Sequence, residues 1–372
     1  MRLYSMLPTA AAMFAAAAIA GAGAASAAET RISGPHIHDN LAVYFVHGRS
    51  AEGPAPLTLA EALAKGSVNV IETGSVNELK IENIGNDEIF IQSGDIVKGG
   101  KQDRVLTVSL LLPAKSGKVP IASFCVEQGR WTARGKEDVG KFSSSAESMP
   151  SRTAKLAMMA PSQPSVAAAV GPTASASIDT ASTTGRQQQQ RLSGDGASDS
   201  SSRQKKVWDE VANMQLALSA KLGATVTATQ SATSLQLALE NDKLKEARAG
   251  YVKSLADVPK GQGEVVGYVF AVNGRLNSAD IYPSNALFSK MWTKLLNASI
   301  TEAIGERTKS AAGAAPAVTD VEAFLKAAEA GKSEDRQIAK FMRQETRDAD
   351  KTLYVEAKRG DGRWVHRNYL AK

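Results

Sequence analysis

The chain has 372 residues, 43% hydrophobic and 22% charged, which is enough to bury a substantial core and close to ordinary soluble composition. Its single cysteine, Cys125, excludes an internal disulfide framework, and a formal charge of +6 matters only if it is concentrated. It is concentrated: from Asp95 to Lys141 there are nine Lys or Arg against five Asp or Glu, a local net of +4. No nucleic-acid motif accompanies this region, so an anionic small molecule is the expected partner and nucleic acid is not.

Residues 1–27 read as a secretory signal peptide. Arg2 opens it, a mostly Ala run from Met6 to Ala25 follows, and Ala25-Ser26-Ala27 places the cut after Ala27. An exported protein, periplasmic or extracellular, is therefore expected. The run is too weakly apolar for a lasting anchor, so no stable membrane insertion is expected after cleavage.

Residues 28–142 form the β-rich first half of a core domain. Leu41 to Val46 reads as a strand, and Thr58-Leu59-Ala60-Glu61 is a capping box opening a short helix that stops at Gly66. Short β-rich segments follow at Val68–Glu72, Glu78–Ile84, Glu88–Gln92, Val105–Leu112 and Val119–Glu127, each bounded by turn residues. Such close spacing fits antiparallel pairing, because parallel strands need crossovers of a dozen residues or more.

Residues 143–203 turn to Ser, Ala, Gln and Thr with no aromatic residue, and read as a disordered insertion. Residues 204–307 carry the helical and hairpin second half. Val207, Trp208, Val211, Met214 and Leu218 recur at helical spacing, and a further helix is expected over Ser234–Lys245. Asn273-Gly274 between Val265–Val272 and Arg275–Tyr282 signals a two-residue hairpin. A helix from Asn285 to about Arg307 follows. After a linker at 308–318, residues 319–372 read as an extension: a helix from a capping box at Thr319-Asp320-Val321-Glu322, a second helix, then a terminal hairpin around Gly360-Asp361-Gly362. The fold class is α+β, with an antiparallel β-rich core and helices mainly from the second half.

The most informative stretch runs from Ser93 to Trp131. Both Val105–Leu112 and Val119–Glu127 alternate a greasy face with a polar one, and matching those faces places Thr107 opposite Cys125 and Ser109 opposite Ser123. The open end of this hairpin then gathers Lys101, Gln102, Arg104, Gln128, Arg130 and Trp131 as ligand-binding candidates, beside Gly99-Gly100. Arg forks suit phosphate or carboxylate, and Trp offers a stacking face. Glu127 is the candidate catalytic group, a base because guanidiniums flank it. The competing reading of the same residues is a polar network that locks the strand ends together.

Gly-Gly-Lys-Gln-Asp-Arg at Gly99–Arg104 and Cys-Val-Glu-Gln-Gly-Arg-Trp at Cys125–Trp131 resemble an uncharacterised bacterial family named for association with ADP-ribosylglycohydrolase and rhodanese-phosphatase genes. Val207-Trp208-Asp209-Glu210-Val211, the Val-Asn-Gly-Arg hairpin and the segment Leu287-Phe288 to Trp292 are similar too, so the resemblance spans about Asn40 to Ile304. It implies a link to ADP-ribose or related metabolites and carries no catalytic residue assignment.

Other sites are thinner. His36 and His38 sit at strand spacing without a third ligand, so no metal is expected; His47 and His366 have no recognisable partner. No nucleophile elbow, Walker loop or dinucleotide fingerprint occurs, and no cofactor is expected. Three functions stay open: a binding module for an anionic, nucleotide- or sugar-phosphate-like ligand; a hydrolase of a phosphorylated or glycosidic substrate using Glu127; and a structural or interaction protein.

Overall fold

The computed structural model describes residues 31–159, 184–308 and 313–372; the expected signal segment and its cut after Ala27 lie outside them. Its backbone is an eight-stranded antiparallel sheet that supports a smaller β-rich unit on one face. The order across the large sheet is β1 (Arg31–His38), β2 (Leu41–His47), β12 (Val265–Val272), β13 (Arg275–Ile281), β17 (Trp364–Ala371), β16 (Thr352–Arg359), β15 (Met342–Asp348) and β14 (Lys332–Ala339). This is the expected α+β class, with antiparallel pairing throughout except for one parallel pair among the described strands.

The apolar runs of β2 and β12 explain their central place. Every residue of both strands is buried, because helices cover both faces. Phe45, Tyr268 and Phe270 pack against α6 (Asn285–Glu306) through Phe288 and Trp292, while Tyr44, Val269 and Ala271 pack against α7 (Val318–Glu329) through Val321, Phe324 and Ala328. Asn273 and Gly274, at φ 51° and 76°, form the tight hairpin that the sequence signals. The Thr58–Glu61 capping box also forms, with both reciprocal bonds at 2.8 and 3.2 Å, at the start of α1 (Leu59–Ala64).

The smaller unit contains a three-stranded sheet of β3 (Leu57–Thr58), β6 (Ile89–Ile91) and β9 (Leu110–Leu112), and a six-stranded sheet ordered β11, β7, β8, β10, β5, β4. Its strands are β4 (Val68–Ser75), β5 (Glu78–Asn83), β7 (Ile96–Gly99), β8 (Arg104–Leu106), β10 (Gly117–Cys125) and β11 (Phe142–Ser144). The six-stranded sheet curls until its edges meet. Ile71 bridges to Lys141, and the Glu72 N–H donates to Gly140 O at 3.0 Å.

Four expectations need correction. Val105–Leu112 is not one strand: the chain leaves β8 after Leu106 and joins a different sheet at Leu110, so Arg104 rather than Thr107 lies opposite Cys125, and Leu106 rather than Ser109 opposite Ser123. Matching polar faces assumed one flat ladder, whereas a sheet that curls passes its strand on to a neighbour.

The stretch read as disordered is structured at both ends. Ser145 and Met149, between β11 and α2 (Arg152–Met159), and Ala154 and Met158 of α2 are buried, and α3 (Thr184–Leu222) holds Arg203 against the end of α2. Methionine and alanine supply the apolar surface there, where a count of aromatics sees none. Residues 160–183 of that stretch lie outside the described residues.

The helix expected over Ser234–Lys245 is two, α4 (Leu235–Leu239) and α5 (Asp242–Leu255), because Asn241 caps a new start by accepting the Lys243 N–H.

The C-terminal segment is not an appendage. Its expected second helix is the β14–β15 hairpin, and β17 pairs with β13 in the middle of the large sheet. The charged residues of β14, mostly exposed, suit the outermost strand, where charge discourages pairing with another chain.

Candidate functional site

β7, β8 and β10 bring the two motifs together at one end of the curled sheet. Arg104 and Cys125 are directly opposed, so both side chains leave the same face of the ladder. Gly99 and Gly100 turn the chain between β7 and β8 at φ 124° and 57°. A side chain at Gly100 would meet the Phe142 ring at 2.5 Å, so the glycine is a space requirement as well as a conformational one.

Beneath the surface the charged groups interlock. Asp103, fully buried, accepts both guanidinium nitrogens of Arg134 at 2.9 and 3.0 Å, the Ser234 hydroxyl at 2.7 Å and the Gly99 N–H at 2.9 Å. Glu127, equally buried, accepts Arg130 Nε at 2.7 Å and the Asp103 N–H at 2.9 Å. Arg130 spends its remaining donors on the carbonyls of Gly99, Gly100 and Thr132. Two acids and two guanidiniums thus neutralise one another inside the protein.

Burial pushes the Glu127 carboxyl up, but bonds from Arg130, Ser231 and the Asp103 N–H outweigh it and hold the group below its usual range. It is an ionised, fully engaged anchor. That arrangement serves neither a general acid nor a base with a lone pair facing a substrate.

Arg104 is completely buried. It donates to Gln102 at 3.2 Å, to both Glu72 oxygens at 3.2 and 3.3 Å, and to the Cys125 sulfur. Burial pushes the Cys125 thiol up to about 12, so it is neutral and unreactive at physiological pH.

Above this frame lies the rim. Trp131 is 41% exposed, with Lys101 Nζ 5.1 Å and Arg104 5.6 Å from its ring centroid. Gln128 is exposed as well, and its backbone is clasped by Thr233. The structure therefore gathers all seven candidates at one end but divides them: Gln102, Arg104 and Glu127 are buried, Arg130 is nearly so, and Lys101, Gln128 and Trp131 are at the surface.

On the other side of Arg130 a cleft of about 930 Å³ opens between Lys98, Arg134, Gln230, Glu240 and Asn241. Lys98 is paired with Glu240 at 2.7 Å and Arg134 with Glu137 at 3.1 Å, so with Arg104 and Arg130 four of the nine basic residues counted in the sequence are spent on internal ion pairs.

A second polar centre, which sequence reasoning missed, lies where the smaller unit meets the large sheet. His366 Nε2 lies 3.0 Å from Asp280, its Nδ1 lies 2.9 Å from Ser109 Oγ, and that hydroxyl accepts the Ser93 N–H at 2.9 Å. Gln92 and Asn368 also donate to Asp280, and Lys294 reaches Asp95 at 2.7 Å. Ser109, His366 and Asp280 are 5%, 2% and 1% exposed, so this relay fixes the two units against each other and presents no nucleophile to solvent. The only sequence signal was an Asp and a His, each in a strand of mixed apolar and polar residues. His36 and His38 are half-buried against Phe45 and Tyr251, and no metal-holding group of His, Cys, Asp or Glu occurs among the described residues.

Fold and site together define an α+β domain whose curled sheet carries the Gly-Gly-Lys-Gln-Asp-Arg and Cys-Val-Glu-Gln-Gly-Arg-Trp segments on one rim. The chain belongs to the family described as the ARG and Rhodanese-Phosphatase-superfamily-associated Protein domain, matched over residues 29–370. The match takes in the C-terminal strands, beyond the Asn40–Ile304 span of the resemblance. No curated protein and no solved structure matches the chain.

Proposed function

We propose that this is an exported binding module for a small anionic ligand carrying a planar ring, nucleotide- or sugar-phosphate-like, held at the Trp131 rim. The observation that carries the reading is the contrast between frame and rim. Trp131 is exposed and Lys101 has no carboxylate partner among the described residues, whereas Arg104, Arg130 and Glu127 beneath them are locked. A rigid frame under an exposed aromatic and the ammonium that lies over its ring lowers the cost of ordering the contact residues. The family match begins at residue 29, just past the expected cut, which suits an exported chain.

Calorimetric titration with ADP-ribose, nucleoside phosphates and sugar phosphates tests this. Trp131→Ala should weaken binding about ten-fold or more, as expected for loss of one stacked base, and Lys101→Ala should weaken it and lessen its dependence on salt. Binding that both substitutions leave unchanged would overturn the assignment of the rim. Turnover of any of these compounds, lost in a folded Glu127→Gln protein, would favour the hydrolase reading instead.

A further inference from the structure

The face of the large sheet that carries α7 is only partly covered. Val321, Phe324 and Ala328 of α7 pack on the row Tyr44, Val269, Ala279 and Tyr369, which are neighbours across β2, β12, β13 and β17. Two residues along each strand, about 7 Å away, the next row on the same face is Ile32, Val46, Gly267, Ile281 and Arg367. The middle of that row has no side chain, and a Cβ on Gly267 would meet Ile281 Cγ1 at 3.0 Å. Val266 is the extra residue of a bulge, since Val265 pairs with His47 and Gly267 with Val46, and such bulges re-aim a side chain. A cavity of about 390 Å³ is left beside the helix, floored by Ile32, Val46, Val266 and Ile281.

The walls of this cavity are braced. Glu322, Leu325, Lys326 and Glu329, at i, i+3, i+4 and i+7, turn one stripe of α7 toward it. Glu329 accepts the Tyr369 hydroxyl at 2.7 Å, which ties the end of the helix to β17. Arg367 lies over the Trp364 ring, 4.4 Å from its centroid, and donates to Glu356. Most of the lining charges are thereby accounted for: Arg367 is matched by Glu356, Glu329 is engaged by Tyr369, and Lys326 follows Glu322 by one turn of helix, a spacing at which opposite charges offset. Arg49, which reaches the cavity from the loop after β2, is exposed, and its guanidinium forms no hydrogen bond or ion pair among the described residues.

We propose that this cavity binds a small amphipathic carboxylate, its aliphatic body on the sheet and its head on Arg49. The volume is that of a small-molecule site. Its floor is aliphatic throughout and offers no side-chain hydrogen bond, so the body it takes is apolar. One face of Trp364 is already occupied by Arg367, which favours an alkyl chain over a stacked ring. A guanidinium with all of its donors free suits a carboxylate, which it can hold through two parallel bonds. No residue of the smaller unit belongs to the apolar cluster around this cavity, so the site lies on the other face of the sheet and is independent of the Trp131 rim.

The test is calorimetric titration of the mature protein with decanoate, decanol and phosphatidylglycerol vesicles. Decanoate should bind one to one and more tightly than decanol. Arg49→Ala, at an exposed position, should weaken decanoate about ten-fold or more, as expected for loss of a charge-assisted bond, and leave decanol unchanged. Leu325→Trp, which fills the cavity from the helix side, should abolish both, while Trp131→Ala should leave decanoate binding intact. Failure of the wild type to bind decanoate, or equal binding by wild type and Arg49→Ala, would overturn the site. Binding to vesicles without binding to free decanoate would overturn it in favour of a membrane surface, and loss of decanoate binding in Trp131→Ala would move the ligand to the rim.

Discussion

Replacing Glu302 with Gln should change how stability depends on pH more than any other single substitution in the α6 helix. Burial pushes the Glu302 carboxyl up from 4.5 to about 7 despite the favourable Lys155 charge and the Arg152 N–H. The folded protein thus holds a proton that the unfolded chain releases above pH 4.5. The contribution of this group is greatest below pH 4.5 and is lost as pH rises toward 7, after which it stays flat. Two and a half pH units at about 1.4 kcal/mol each amount to about 3 kcal/mol. Gln carries no charge at any pH, so relative to the wild type the variant should gain about 3 kcal/mol between pH 4 and pH 8. Urea unfolding in choline chloride buffers would give both curves, and their difference cancels the other titrating groups. Parallel curves across that range would refute the burial argument.

Arg134→Ala should cost about 3–5 kcal/mol, because it strands the fully buried Asp103 without its bidentate partner; Lys136→Ala, at an exposed position two residues on, should change stability by less than about 0.5 kcal/mol. Both can be read from urea midpoints. Cys125 should resist a thiol reagent such as dithionitrobenzoate in the native protein and react stoichiometrically once unfolded; native-state modification at the rate of a free thiol would contradict its burial.

The legible parts of the fold were those whose signals are local. The Thr58–Glu61 cap, the Asn273-Gly274 turn and the α6 helix each depend on residues within one or two turns of one another. The motif cluster was legible as well, because Gly99–Arg104 and Cys125–Trp131 are close in sequence and joined by a hairpin. Its burial was not. Whether Arg104 meets a ligand or Glu72 depends on β4, some thirty residues upstream, and Arg134 was absent from the candidates because nothing nearby in sequence shows that it faces Asp103. The Lys332–Asp348 segment failed for a different reason. Its charged, strongly helix-forming residues become strands only because β16 offers an edge to pair with, an instance of tertiary structure overriding local preference.

The place of β17 has a consequence for how the protein is made. Its partner strand β13 is complete by Ile281, yet the neighbour that β13 requires spans Trp364–Ala371. Nearly ninety residues must be synthesised while the flank of β13 stands open, and Ser109 waits longer still for His366. A late step of folding therefore joins Ser109 to His366 on β17, a closure that is slow because its contacts are so distant in sequence. During that interval the unpaired edge of β13 is available to any other strand. A chain that crosses a membrane unfolded would meet this problem only on the far side, with all of its residues already present.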